Sequence, residues 1–142
     1  MNVAQMFPLL TVGLIIYGVL TLANFTVGPN NEIWHMVLVV ELPLPSDEVW
    51  SIRGGDIFLL GSMGLLFVEL IRATKTDTNS LTNHALSFIL FIIALMVFIF
   101  VPGFGNSTFF LFLAMTFLDP MAGIIVTTVT ARRDLAVTDG IK

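Results

Sequence analysis

The chain contains no cysteine, which excludes disulfides, thiolate metal sites and thiol nucleophiles. Charge is scarce: charged residues make up 11% of the 142 positions, against about a quarter in ordinary soluble domains. Basic residues are scarcer still, six Lys and Arg against ten Asp and Glu, and the net charge of −4 argues against nucleic acid as a partner, because its backbone requires a basic face. Met1 to Leu10 holds no Lys or Arg for the n-region of a cleavable leader, so the first apolar run is expected to be retained. There are only two histidines, and the glycine-rich phosphate loop, HExxH, GxSxG and the dinucleotide fingerprint are all missing.

What is present is apolar. Hydrophobic residues make up 56% of the chain, arranged in long runs, and this predicts an all-α membrane protein. Four transmembrane helices are expected as a single domain (1–142): spans at about 7–27, 55–73, 84–101 and 107–130, an outer loop at 28–54 and a cytoplasmic tail at 131–142. The first span is predicted to stop at Gly28-Pro29-Asn30-Asn31, because Pro29 cannot donate an amide. Asp56 is placed to cap the second span, and the polar stretch Thr76 to Ser80 precedes the third. Only Pro102-Gly103-Phe104-Gly105-Asn106 separates spans three and four, which predicts a tight hairpin of helices. Short connections favour an antiparallel bundle in which consecutive spans are neighbours.

Arg72 and Lys75 follow span two, and Arg132, Arg133 and Lys142 follow span four, so both termini are expected on the cytoplasmic side. Loop 28–54, which carries Glu32, Glu41, Asp47 and Glu48, is expected on the other side. Its β-branched run Met36 to Val40, followed by Pro43-Leu44-Pro45-Ser46-Asp47, predicts a short β-hairpin or interfacial cap; a re-entrant amphipathic helix is the competing reading. Trp34 and Trp50 are the expected interface anchors.

Pro45-Ser46 with Trp50, Gly55-Asp56, Glu69-Leu70-Ile71-Arg72-Ala73-Thr74, His84-Ala85-Leu86-Ser87, Ser107-Thr108-Phe109-Phe110 and Thr130-Ala131-Arg132-Arg133-Asp134-Leu135 resemble the pattern of a group of small uncharacterised bacterial inner-membrane proteins with four spans. The resemblance covers most of the length. It implies the fold and an inner-membrane location, and it implies no activity.

Asp119 is the sharpest feature, because an ionised carboxylate halfway along a span costs on the order of 2.5–3.5 kcal/mol. It reads as a proton or cation site, or as a neutral acid locking helices together, with Pro120 freeing a carbonyl in the preceding turn. Glu69 stands three residues before Arg72 on one helix face, the spacing of an ion pair. The depths of Glu69 and Asp119 differ by roughly 10 Å at the helical rise, which argues against a direct bond. Ser62, Thr11 and Tyr17 are nearer in depth and are the expected partners of Asp119. His35 reads as a loop residue and His84 as an interfacial or capping residue; no pair shares a depth for haem, and no donor set converges for a metal.

Asn24-Phe25-Thr26 and Asn106-Ser107-Thr108 match the glycosylation pattern, but the second reads better as a helix cap. Gly13, Gly18, Gly61, Gly64 and Gly123 are packing signals. The thirteen phenylalanines could contact quinone, pigment or lipid, but packing explains them, and the sequence identifies no cofactor.

No catalytic residue is expected. The leading reading is a non-catalytic membrane component: an accessory subunit, assembly factor or self-associating scaffold, with the lipid bilayer and other membrane subunits or itself as partners. The alternative is a small proton- or ion-coupled transporter or channel using Asp119. A lipid- or quinone-binding protein or enzyme comes third, since acid–base work needs several polar groups near one atom.

Overall fold

The computed structural model describes residues 7–27, 30, 32–73 and 78–139. The chain runs through helix α1 (Leu10–Leu22), strands β1 (Thr26–Val27), β2 (Glu32–Ile33), β3 (Leu38–Pro43) and β4 (Val49–Arg53), then helices α2 (Gly54–Ala73), α3 (Thr78–Phe100) and α4 (Ser107–Asp139). Among the described residues three helices are long and apolar enough to cross a membrane, within α2, α3 and α4.

The first helix differs from the expected span 7–27. It has 13 residues, about 20 Å at the helical rise, against about 30 Å of bilayer hydrocarbon. It stops well before Gly28 because Asn24 adopts a left-handed conformation (φ 48°). The Phe25 amide then donates to the Leu20 carbonyl and the Asn24 amide to that of Thr21, the paired bonds of a Schellman cap with Asn in place of Gly. The Gly28-Pro29 stop itself lies outside the described residues, as do Asn31 and Lys75.

Beyond this cap β1 pairs antiparallel with β2. The larger hairpin, β3 against β4, runs from Pro43 opposite Val49 to Leu38 opposite Arg53, with a bulge between Leu38 and Val40. Its turn is closed by the Leu44 amide on the Glu48 carbonyl (2.8 Å), with Asp47 left-handed at φ 62°. The hairpin reading therefore holds over the re-entrant helix. Every residue of β3 is exposed, so this ribbon adds little to the core.

Strand β4 passes directly into α2, where Asp56 accepts the Arg53 amide at 2.8 Å, the reach-back half of a capping box. Gly54 at this junction lies against the chain: a Cβ there would come within 2.2 Å of the Trp34 carbonyl oxygen. The α3–α4 turn uses Gly103 at φ 90°, and Asn106 caps α4 by accepting the Phe109 amide at 3.0 Å. Helix α3 begins at Thr78, ahead of the expected 84. Helix α4 continues to Asp139 through the region expected to be a tail, although the Arg132 and Arg133 side chains and Lys142 lie outside the described residues.

Helix α4 is the centre of the bundle. It packs along both α3 and α2, while α1 leans chiefly on α2. The expectation that consecutive spans are neighbours therefore fails for α2 and α3, which α4 holds apart over most of their length. The ring pairs Phe91–Phe117 and Phe98–Phe110 align α3 antiparallel to α4, and Phe58–Phe112 sets α2 beside α4 in parallel. Close approach of α1 is permitted by Gly13, where a Cβ would meet the Phe112 ring at 2.7 Å. Leu10, Tyr17, Ala94, Phe109 and Phe112 are wholly buried and fill the centre.

Candidate functional site: a buried acid pair

Polar groups in the bundle gather at the end opposite the β-hairpin. Glu69 and Asp119 are each 1% exposed, and Ser87 and Thr116 are 0% exposed. Asn83 and His84 are also buried. Asn83, Ser87, Leu90 and Ala94 recur at helical spacing and form the face of α3 turned inward.

The two acids have different surroundings. Glu69 accepts from the Asn83 side-chain amide at 2.9 Å and from the Leu9 backbone amide, with the Leu10 amide also within reach. Leu9 is the N-cap residue of α1 and brings no capping side chain of its own. Glu69 thus supplies, from another helix, the acceptor that first-turn amides require. Among the described residues neither oxygen of Asp119 has a hydrogen-bond partner. The Ser87 hydroxyl lies beside it but donates to the Asn83 carbonyl at 3.1 Å. Thr116 turns its hydroxyl to the Leu113 carbonyl at 2.7 Å.

No hydrogen bond joins the acids, yet they are near enough to repel each other as charges. The depth expected from the sequence overstated their separation. The pairing of Phe58 with Phe112 puts Asp119 about one helical turn from Glu69, and a glutamate side chain covers most of that distance. Two adjacent negative charges in a dry site are strongly unfavourable, and donors favour the charged form of whichever acid they face. Asn83 and the α1 amides face Glu69 while only the Ser87 hydroxyl lies beside Asp119, so the arrangement suits a charged Glu69 beside a neutral Asp119.

His84 is buried with its ring on Gly123 of α4, where a Cβ would fall 2.1 Å from Nδ1, and Glu69 acts on it electrostatically. It is a packed residue of the site rather than an interfacial cap. Among the described residues no group of three or more His, Cys, Asp or Glu converges to hold a metal.

Several expected partnerships are replaced by others. Arg72 is exposed and makes no ion pair with Glu69, whose oxygens face Asn83 and Leu9. Ser62 is buried beside Gly13, and Tyr17 donates to Asn106 at 3.0 Å, so neither serves Asp119. The neighbours of Asp119 come from α3 and α2. Trp50 is exposed on β4, as an interface anchor would be. Trp34 is instead buried, its ring edge-on to Tyr17 at 5.0 Å and to Phe58 at 5.8 Å. Asn83 is the site residue that the sequence reading missed. Its signal was present in the spacing: Asn83 and Ser87 stand four apart in an apolar run and so share a helix face.

Searches for similar proteins find no family model, no curated protein and no solved structure that matches the chain.

Proposed function

We propose that the protein is a multi-pass bacterial inner-membrane component that binds and releases a proton at Asp119, acting as a small proton-coupled transporter or as the proton-handling subunit of a larger one. The observation that carries this reading is the buried Asp119 carboxyl, which among the described residues accepts no hydrogen bond on either oxygen and has only the Ser87 hydroxyl beside it, next to an acid that has several donors. An acid so placed is stable when protonated. It releases the proton only when the site is rearranged or hydrated, which is the property a coupled carrier uses. Glu69 is the neighbouring acid against which that proton is exchanged. In this reading the acid end faces the cytoplasm and the β-hairpin the other side, in line with the basic residues after spans two and four. Helix α1, with the residues flanking it, serves as a fourth, incomplete crossing.

The test is proton flux into liposomes of purified protein under an imposed pH gradient, alongside the infrared carbonyl band of a protonated carboxyl. Asp119→Asn should lose the carboxyl band and reduce flux at least tenfold while leaving the helix content unchanged. Wild-type flux in the variant, or a carboxyl band that survives the substitution, overturns the proposal.

A second reading, an accessory subunit or scaffold docked on other helices, is favoured by the outward face of α3. Phe88, Ile92, Met96, Ile99 and Phe100 on that helix are all exposed, a surface that suits either lipid or a partner helix. Copurification with a larger membrane complex in stoichiometric amount would support it.

A further inference from the structure

We infer that α1 is a latch over the acid pair, held shut by charged Glu69 and loosened when Glu69 takes a proton. This rests on the proposed proton-binding role of the site and adds a regulated cover to it.

The amides at the start of α1 have no cap of their own. Its N-cap residue, Leu9, offers no side chain to the helix amides, and no acidic residue stands in its first turn. Glu69 of α2 takes that role across the bundle, receiving the Leu9 amide with Leu10 close by. Leu10 is fully buried and closes the bundle next to the acids. Further along, α1 and α2 diverge around a cavity of about 520 Å³ lined by Val12, Gly13, Ile16, Ile57, Gly61 and Ser62 among others. Gly61, which lines it, has nothing within 4 Å of an added Cβ. Thus the acid end of α1 is held by amide-to-carboxylate bonds together with the buried Leu10, while its other end is anchored through Tyr17 to Asn106 and a ring of aromatics.

Hydrogen bonds to a charged acceptor are about twice as strong as neutral ones, and a negative charge is favoured at a helix N-terminus. A proton on Glu69 forms an O–H bond at one carboxylate oxygen, removes the charge and leaves the α1 amides a weaker acceptor. The groups that face Glu69 set when this happens: Asp119 from α4, His84 and Asn83 from α3, and the two amides of α1. Of these, negative charge on Asp119 favours protonation of Glu69 and positive charge on His84 opposes it.

The natural absence of cysteine allows a direct test. Spin labels at Val12→Cys and Met63→Cys, both exposed positions on α1 and α2, report the distance between the helices in lipid nanodiscs by pulsed electron resonance. One short distance is expected at high pH, with a longer population growing as pH falls. Glu69→Gln should show the longer population at every pH, raised roughly tenfold over the high-pH wild type, in keeping with the value of charge at a helix terminus. Leu9→Pro gives a second route. It deletes the donor at a residue whose φ of −63° already suits proline, so the fold is retained while docking weakens.

Distances that do not change with pH, or that are unaltered in both variants, overturn the latch. If the latch fails while Asp119→Asn still abolishes flux, the proton-binding reading stands without it. If the latch responds as expected and no flux is found, the coupling is real and the transport reading is wrong.

Discussion

The two ends of the bundle are built from opposite materials. At the hairpin end Tyr17 is ringed by Trp34, Phe58, Phe104 and Phe109 at centroid distances of 4.8 to 5.5 Å, and its hydroxyl is bonded to Asn106. At the acid end the same helices meet through Glu69, Asn83, Ser87 and Asp119. Both ends leave buried polar atoms without partners: Trp34 Nε1 and His35 Nδ1 at one, the Asp119 oxygens at the other. The difference is chemical. An unbonded indole N–H has a fixed cost, whereas an unbonded carboxyl changes character with a proton. Ring packing does not respond to pH, so the aromatic end suits a fixed pivot and the acid end a part that moves.

If that contrast is right, the largest loss of stability should come from the pivot. Tyr17→Ala removes a fully buried ring and should cost about 3–5 kcal/mol. Tyr17→Phe loses only the bond to Asn106, about 1 kcal/mol. Unfolding of both variants in lipid bicelles measures the two terms; equal losses would mean that the hydroxyl, not the ring, secures this end.

At the acid end the corresponding probe is Gly123→Ala. The new methyl would enter the space of the His84 ring, so the imidazole must move, at about 1–3 kcal/mol for overpacking. Gly61→Ala, on the same methyl scale but in open space, should be neutral or slightly stabilising, since alanine is the better helix former. The pair separates tight packing from helix propensity. If Gly123→Ala is as silent as Gly61→Ala, His84 is free to move and the acid end is looser than its geometry implies.

These same residues show what the sequence could and could not disclose. Asp119 was legible because it is an acid within an apolar run, and Asp56 and Asn106 because capping residues act on amides only three positions away. The β-hairpin was legible from β-branched residues around a Pro-rich turn. The length of α1 was not, because its end depends on Asn24 taking a left-handed conformation that a smooth apolar profile does not reveal. The proximity of Glu69 to Asp119 was hidden for a different reason. It depends on the axial offset of α2 against α4, fixed by the Phe58–Phe112 contact, and counting residues along each helix separately gives no offset. The amides that bind Glu69 belong to Leu9 and Leu10, whose side chains carry no hint of a polar role.

The smallest expected effect lies beside the pivot, at His35. This residue sits in the turn after β2, is buried against Tyr17 and Trp34, and burial pushes its imidazole below the ordinary histidine range. The unfolded chain therefore takes up a proton more readily than the folded one. The stability contributed by neutral His35 is fully present above its unfolded value, about pH 6.5, and declines as pH falls from there toward the folded value. His35→Phe keeps a ring in the stack and removes the proton site, so it should flatten that part of the stability curve while leaving neutral-pH stability nearly unchanged. Because Glu69 and Asp119 also respond to pH, the measurement is best made on the α1 distance and on unfolding together. In His35→Phe the acid-dependent loosening of α1 should persist while the loss of stability is reduced. If both disappear, the hairpin end is not a passive pivot, and the pH response of the molecule originates at the imidazole.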